Sequence, residues 1–168
     1  MPEIAWGKKV SGAFKSKVIG ISSDLGCDPS HLMSAMAFET GETFSPGIRN
    51  KASGATGLIQ FVPRTAKSLG TTTDALAAMS AVDQLDFVEK YLEPFKGKMS
   101  MLSDVYMTIL FPRAVGKPEA FVLFQSPSTA FKQNEGLDAN KDGQVTKAEA
   151  AAKVQAKLIR GLDKAFRG

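Results

Sequence analysis

The sequence is short of the residues that staple a chain or carry it across a membrane. A single cysteine, Cys27, among 168 residues excludes an internal disulfide, so the fold must rest on burial and hydrogen bonding. Long apolar runs are missing: none approaches the ~20 residues needed to cross a bilayer. Near the N-terminus the longest candidate, Val18 to Ile21, is interrupted by Gly20 and is too short for a signal-peptide core. The sequence therefore reads as having no secretion signal and no membrane insertion, and action outside the cytoplasm would need another agent of delivery. Acidic residues are absent between Glu42 and Asp74, where Arg49, Lys51, Arg64 and Lys67 fall. With a net charge of +4, such a stretch suits an anionic partner, or else is a solvated face. Aromatics are scarce there too: Phe61 is the only one from Arg49 to Lys67, which argues against nucleic acid.

What is present suits one soluble domain spanning 1–168. A chain of this length buries roughly 70% of its unfolded surface. Helical spacing of Val10, Phe14, Val18, Ile21 and Leu25 predicts a helix over 8–25, stopped by Gly26. Asp28-Pro29 opens a second, nearly all-apolar and therefore buried helix ending at Gly41. Residues 42–56 read as loop or short hairpin, 57–62 as an extended run, and 63–69 as a short helix. Ser80 with Asp83 caps a helix that stops before Pro94. Ser103 is expected to cap one through Leu110. Thr146 and Glu149 form a capping box for a last helix, 147–166, with Val154, Leu158, Leu162 and Phe166 as its core stripe. Strand signals are few, so the fold class is mainly α with at most a small β element.

Glu39 stands out chemically. It follows Met36-Ala37-Phe38 at the last turn of the buried helix, where desolvation favours the neutral carboxyl. The negative end of the helix dipole acts in the same direction. A carboxylic acid kept protonated near neutral pH is what general acid catalysis at a glycosidic oxygen requires. The bland alternative is a helix-end Glu that pairs with Arg49 or Lys51.

Phe38-Glu39-Thr40, then Ala52-Ser53-Gly54-Ala55, Gly57-Leu58-Ile59-Gln60, Pro63 and Thr65-Ala66, resemble the first two motifs of the soluble lytic transglycosylase family, within the goose-type-lysozyme-like superfamily. The match in order and spacing covers residues 36–66, and a weaker one continues to about residue 135. The resemblance implies a lysozyme-like α+β catalytic core over 8–135, its small β element at the cleft, and peptidoglycan as substrate. It implies Glu39 as catalytic acid/base, with Thr40, Ser53, Gln60 and Tyr106 against the glycan. Thr40 stands where the family has Ser. The third motif survives only as Val105-Tyr106-Met107, without the family's Asn and Gly, as in phage-associated members; delivery by phage lysis machinery or a virion is then expected. Only Glu42 lies close after Glu39, and no acid follows until Asp74, so a single-acid mechanism fits better than a carboxylate pair.

A second signal lies at 138–149. Asp138, Asn140 and Asp142 occupy positions 1, 3 and 5 of an EF-hand loop, Gly143 position 6, Gln144 position 7 and Glu149 position 12. This predicts one structural calcium ion held by Asp138, Asn140, Asp142, Gln144 and Glu149. The loop has no second copy, and the segment 128–137 before it is too short and broken for a full entering helix.

Cys27 and His31 offer a thiol–imidazole pair but no orienting third group. Met33, Met36, Met99, Met101 and Met107 read as core filler, and the sole Trp6 has no functional reading. Besides a monomeric transglycosylase acting on bacterial peptidoglycan, three alternatives stay open. They are a hydrolytic muramidase, a wall endopeptidase and a non-catalytic calcium-dependent binding module.

Overall fold

The computed structural model describes all 168 residues as eight α-helices and one two-stranded sheet. Helix α1 spans Gly12–Leu25, not 8–25, because Ser11 caps it by accepting from the Phe14 amide at 3.1 Å. The residues before it instead bury Ile4, Ala5 and Trp6. Helix α2, Pro29–Glu39, starts where Asp28 accepts from the Ser30 amide at 2.7 Å, and everything from Leu32 to Ala37 is buried. It ends at Glu39 with Thr40 as its C-cap, two residues before Gly41.

The loop that follows is cross-linked by bridges between Arg49 and Thr56 and between Thr56 and Phe61. Residues 57–60 are a tight turn, not an extended run. Gly57 at φ 84° and Gln60 at φ 55° reverse the chain, and the Phe61 amide returns to the Thr56 carbonyl at 2.9 Å. Helices α3 (Pro63–Ser68), α4 (Thr73–Ala78) and α5 (Ala81–Leu92) follow; α4, capped by Thr72, has no strong sequence signal.

Helix α6, Leu102–Leu110, begins one residue before Ser103, so Ser103 does not cap it; its hydroxyl donates to Glu119 at 2.6 Å instead. Strand β1 (Val122–Gln125) pairs antiparallel with β2 (Gln144–Thr146), with a bulge between Val122 and Phe124. This sheet belongs to the acidic loop, whereas the resemblance implied a small β element at the active-site cleft; the segment after Glu39 forms only the isolated bridges of Arg49, Thr56 and Phe61. The strand β2 covers positions 7–9 of the loop, and β1 supplies the neighbour that a second loop copy would give. Helix α7 (Thr129–Asn134) is one short turn-and-a-half before the loop.

Helix α8, Lys147–Gly161, has the capping box expected of Thr146 and Glu149. It ends at Gly161, where Trp6 packs so closely that a Cβ would stand 2.3 Å from the ring nitrogen. Trp6 donates to the Lys157 carbonyl at 3.0 Å and stacks 4.9 Å from Phe166, which gives this tryptophan a structural role. Of the expected stripe Val154 is buried, while Leu162, past the helix end, is 43% exposed. Met101 is likewise 50% exposed and fills no core. Helix α8 packs on α2 and α6, and one cluster of 32 buried residues runs from Ile4 to Val154. The C-terminal helix thus shares the core of the rest. No helix is long and apolar enough to cross a membrane.

Candidate active site

Two consecutive left-handed residues, Gly41 at φ 60° and Glu42 at φ 68°, close the end of α2. The Glu42 amide reaches back to the Ala37 carbonyl at 2.7 Å, which satisfies a carbonyl the helix end would orphan. Thr40 is fully buried; its hydroxyl donates to the Met36 carbonyl at 2.7 Å and accepts from the Phe44 amide at 2.9 Å. Fully buried and bonded to the protein as donor and as acceptor, Thr40 shapes the helix end, and no exposed atom of its side chain serves the place against the glycan that the resemblance implied.

Glu39 is mostly buried, and burial pushes its carboxyl up from 4.5 to about 7. Burial is the one cause; no hydrogen bond or charged neighbour contributes. Glu42, the nearest acid in sequence, is turned the other way. Its carboxylate accepts from Lys157 at 2.7 Å and from Arg160 at 2.8 Å, both on α8. The hydrogen bond from Arg160 leads in holding Glu42 below its ordinary value, against the opposing effect of burial. Asp74 is paired with Arg49 and Asp86 with Lys17. Glu39 is therefore a solitary acid.

Tyr106 on α6 lies beside it. Its ring meets Phe38 edge-on at 5.5 Å, and its hydroxyl is held above the ordinary phenol value by burial first and by the charge of Glu39 second. One turn along α6, Ile109 lines a cavity of ≈ 60 Å³ together with Gln60, Val62 and Tyr91. Tyr106 thus stands beside Glu39, and Gln60 lines a separate small cavity one turn further along α6. Gln60 spends its amide nitrogen on the carbonyls of Ile48 at 3.3 Å and Gly57 at 3.1 Å, and its oxygen is not used in either bond. Ser53 sits at the exposed end of the same loop, its hydroxyl accepting from the Ala55 amide at 3.2 Å. No contact joins Ser53 to Glu39.

The largest cavity, ≈ 560 Å³, is not at Glu39. It lies between the N-terminal ends of α2 and α6 and the first half of α8, lined by His31, Leu102, Glu119, Ala148 and Gln155 among others. Burial holds the Cys27 thiol above its usual value, the opposite of what an activated nucleophile needs.

In the acidic loop, backbone amides turn onto the side-chain oxygens. Gly143 donates to Asp138 at 3.0 Å, Asp142 to Asn140 at 3.1 Å and Gln144 to Asp142 at 2.9 Å. Glu149 reaches across from the far end to accept from the Ala139 amide at 2.9 Å, so the loop closes on itself. An all-oxygen donor set of this kind suits a hard divalent cation. No three His, Cys, Asp or Glu side chains are arranged to hold a metal ion as they stand.

Sequence reading missed Gln84 and the pair Asp104–Lys147. Each looks like an ordinary helix-surface residue, yet all three are buried. Compared with models of known protein families the chain matches none, and no curated protein sequence matches it.

Proposed function

We propose that the chain cleaves the β-1,4 bond between N-acetylmuramic acid and N-acetylglucosamine in peptidoglycan, as a lytic transglycosylase with Glu39 as its only catalytic acid/base. The observation that carries this reading is a lone carboxyl raised to about 7 at the end of a buried helix, beside Tyr106. The motif resemblance around Glu39 supports the choice of substrate.

Protonated Glu39 gives its proton to the glycosidic oxygen as the C1–O bond breaks, and the N-acetylglucosamine side leaves with a free hydroxyl. The carbonyl oxygen of the muramoyl N-acetyl group takes up the electron deficiency at C1. Glu39, now a carboxylate, then removes the C6 hydroxyl proton while O6 bonds to C1 and releases the acetyl oxygen. The products are a 1,6-anhydro end and a regenerated acid. A site with one acid needs no second carboxylate for this sequence, because the substrate supplies the nucleophile. Gln60 Oε1, its one amide atom not spent on the loop, accepts from a sugar hydroxyl or N–H. A role in phage lysis or entry fits the same reading.

Asp138, Asn140, Asp142, Gln144 and Glu149 would hold one calcium ion, which supplies no chemistry to the bond cleavage and neutralises the loop's carboxylates. Mass spectrometry of digested peptidoglycan tests the activity. Anhydro-muropeptides are expected. Reducing-end muramic acid would make the chain a muramidase, and new amino termini an endopeptidase; no digestion at all would leave only a binding module.

A further inference from the structure

Gln84 on α5 has no exposed surface, and its amide is fully engaged, with the 46–60 loop through Leu58 and Pro46 and with the neighbouring α4 through Leu76. Its oxygen accepts from the Leu58 amide at 2.7 Å. Its nitrogen donates to the carbonyls of Pro46 at 3.0 Å and Leu76 at 2.8 Å. An amide nitrogen has two hydrogens to give, and both are used.

The same stretch of loop is held from the other side by Gln60, through Ile48 and Gly57. Two glutamines therefore pin residues 46–48 against 57–58, Gln84 from the core and Gln60 from the partly open side. The backbone alone contributes little between these segments: the Gly57 amide bonds the Ile48 carbonyl at 2.9 Å. Gly57 is matched to the arrangement, since a Cβ there would lie 2.3 Å from the Gln84 oxygen. Its φ of 84° also belongs to the left-handed region that glycine tolerates.

We infer that Gln84 is a positioning residue for glycan binding: it holds the 46–60 loop in the one shape that turns the Gln60 oxygen toward the substrate. Gln60 cannot do this alone. Its two donors serve the loop, so its remaining acceptor is only as well aimed as the loop is fixed. Gln84 fixes it without touching the substrate. This rests on the transglycosylase reading, in which Gln60 contacts the sugar.

The role separates from that of Glu39 because the two residues act through different elements, α5 with its loop and α2. Gln84→Met keeps length and volume but leaves the Leu58 amide and the Pro46 and Leu76 carbonyls without their partner. With soluble uncross-linked glycan strands as substrate, a KM about tenfold higher is expected, with kcat within about twofold of the parent. The pH at which activity falls on the alkaline side should not move. In a Glu39→Gln background, direct binding of the same strands should weaken by a similar factor. All measurements are made well below each variant's melting temperature.

Gly57→Ala gives a second route that removes no hydrogen-bonding group, and the same rise in KM is expected as its methyl presses on the Gln84 amide. A folded Gln84→Met protein with unchanged KM and binding would reduce Gln84 to a core residue. If Gln84→Met does not fold, unchanged KM in Gly57→Ala overturns the inference equally. Retained activity in Glu39→Gln would instead sink the parent reading, so the two failures are distinguishable.

Discussion

The Lys147 ammonium donates to Asp104 Oδ1 at 2.6 Å in a place where Lys147 is 1% exposed and Asp104 5%. The contact joins the residue directly after β2 to the helix that carries Tyr106, two positions further on. Lys147 also donates to the Lys117 carbonyl at 2.8 Å, and Asp104 accepts from the Gly116 amide at 2.8 Å. The pair is thus closed off by hydrogen bonds on both sides, which is the condition under which a buried ion pair is tolerated.

Removing one partner strands the other charge. Lys147→Met should cost about 3–5 kcal/mol. For a chain of this size that lowers Tm by about 10 °C or more. The double variant Lys147→Met/Asp104→Leu should be more stable than Lys147→Met alone, because no unpaired charge is left. Calorimetric melts of the parent, Lys147→Met, Asp104→Leu and the double variant check this; a double variant worse than both singles would mean that shape, not charge, sets the cost.

Glu39 couples activity and stability to pH with opposite merit. Its folded pKa of about 7 lies above the ordinary 4.5, so the folded protein holds its proton more tightly than the unfolded chain does. The contribution to stability is complete below about pH 4.5 and is lost as pH rises through about 7. At 1.36 kcal/mol per pKa unit, the loss above pH 7 is about 3 kcal/mol. Glu39→Gln should therefore melt several degrees higher than the parent at pH 8, with the gain gone near pH 4. The same variant should lose at least ~10²–10⁴-fold in wall-cleaving activity. In the parent, kcat/KM should fall above about pH 7 as the acid ionises. A Glu39→Gln protein that gains no stability at pH 8 would show that the carboxyl is better solvated than its position implies.

Much of this was legible in the sequence wherever one residue's chemistry decides its place. Asp28-Pro29, Ser80 with Asp83, and Thr146 with Glu149 each announce a helix start, and the caps are formed. Glu39 was legible because an apolar helix must be buried and carries its last residue with it. Ser103 misled because serine is a common cap; here its hydroxyl serves Glu119, sixteen residues further along the chain, instead of the helix start it was expected to cap. Strand β1 is four residues long and draws its pairing from β2, so its own pattern carries no signal. Gln84, Asp104 and Lys147 were illegible for a shared reason: each is polar and buried only because a distant segment folds over it.

A thiol peptidase would need Cys27 as a thiolate, yet burial raises its pKa. Cys27→Ser should retain wall-cleaving activity within about twofold, and alkylation of the parent should not inhibit it. Turbidity clearing of purified peptidoglycan reads both. Loss of activity in the serine variant, with its melting temperature unchanged, would put the peptidase ahead of the transglycosylase.

Calcium should act on stability through α8. The helix begins at Lys147, inside the acidic loop, and its capping residue Glu149 is also the twelfth loop position. Further along, α8 places Val154 in the core and sets Lys157 and Arg160 on Glu42. Bringing the carboxylates of Asp138, Asp142 and Glu149 together without a cation would be opposed by their mutual repulsion, so the start of α8 should be looser without the ion. Binding to the folded state alone adds RT ln(1 + [Ca²⁺]/Kd), or ~2.7 kcal/mol at a hundredfold excess over Kd. That corresponds to a rise in Tm of about 5–10 °C. Chelation should reverse it, and Asp138→Ala should lower Tm while abolishing the response to calcium. At a temperature where both forms are fully folded, activity should be the same with and without the ion, since the proposed proton transfers of Glu39 involve no metal. A melting curve indifferent to calcium and chelator would reduce the loop to a helix cap. Activity that calcium restores in fully folded protein would show instead that α8, through its hold on Glu42, transmits the state of the loop to the end of α2, where Glu39 lies.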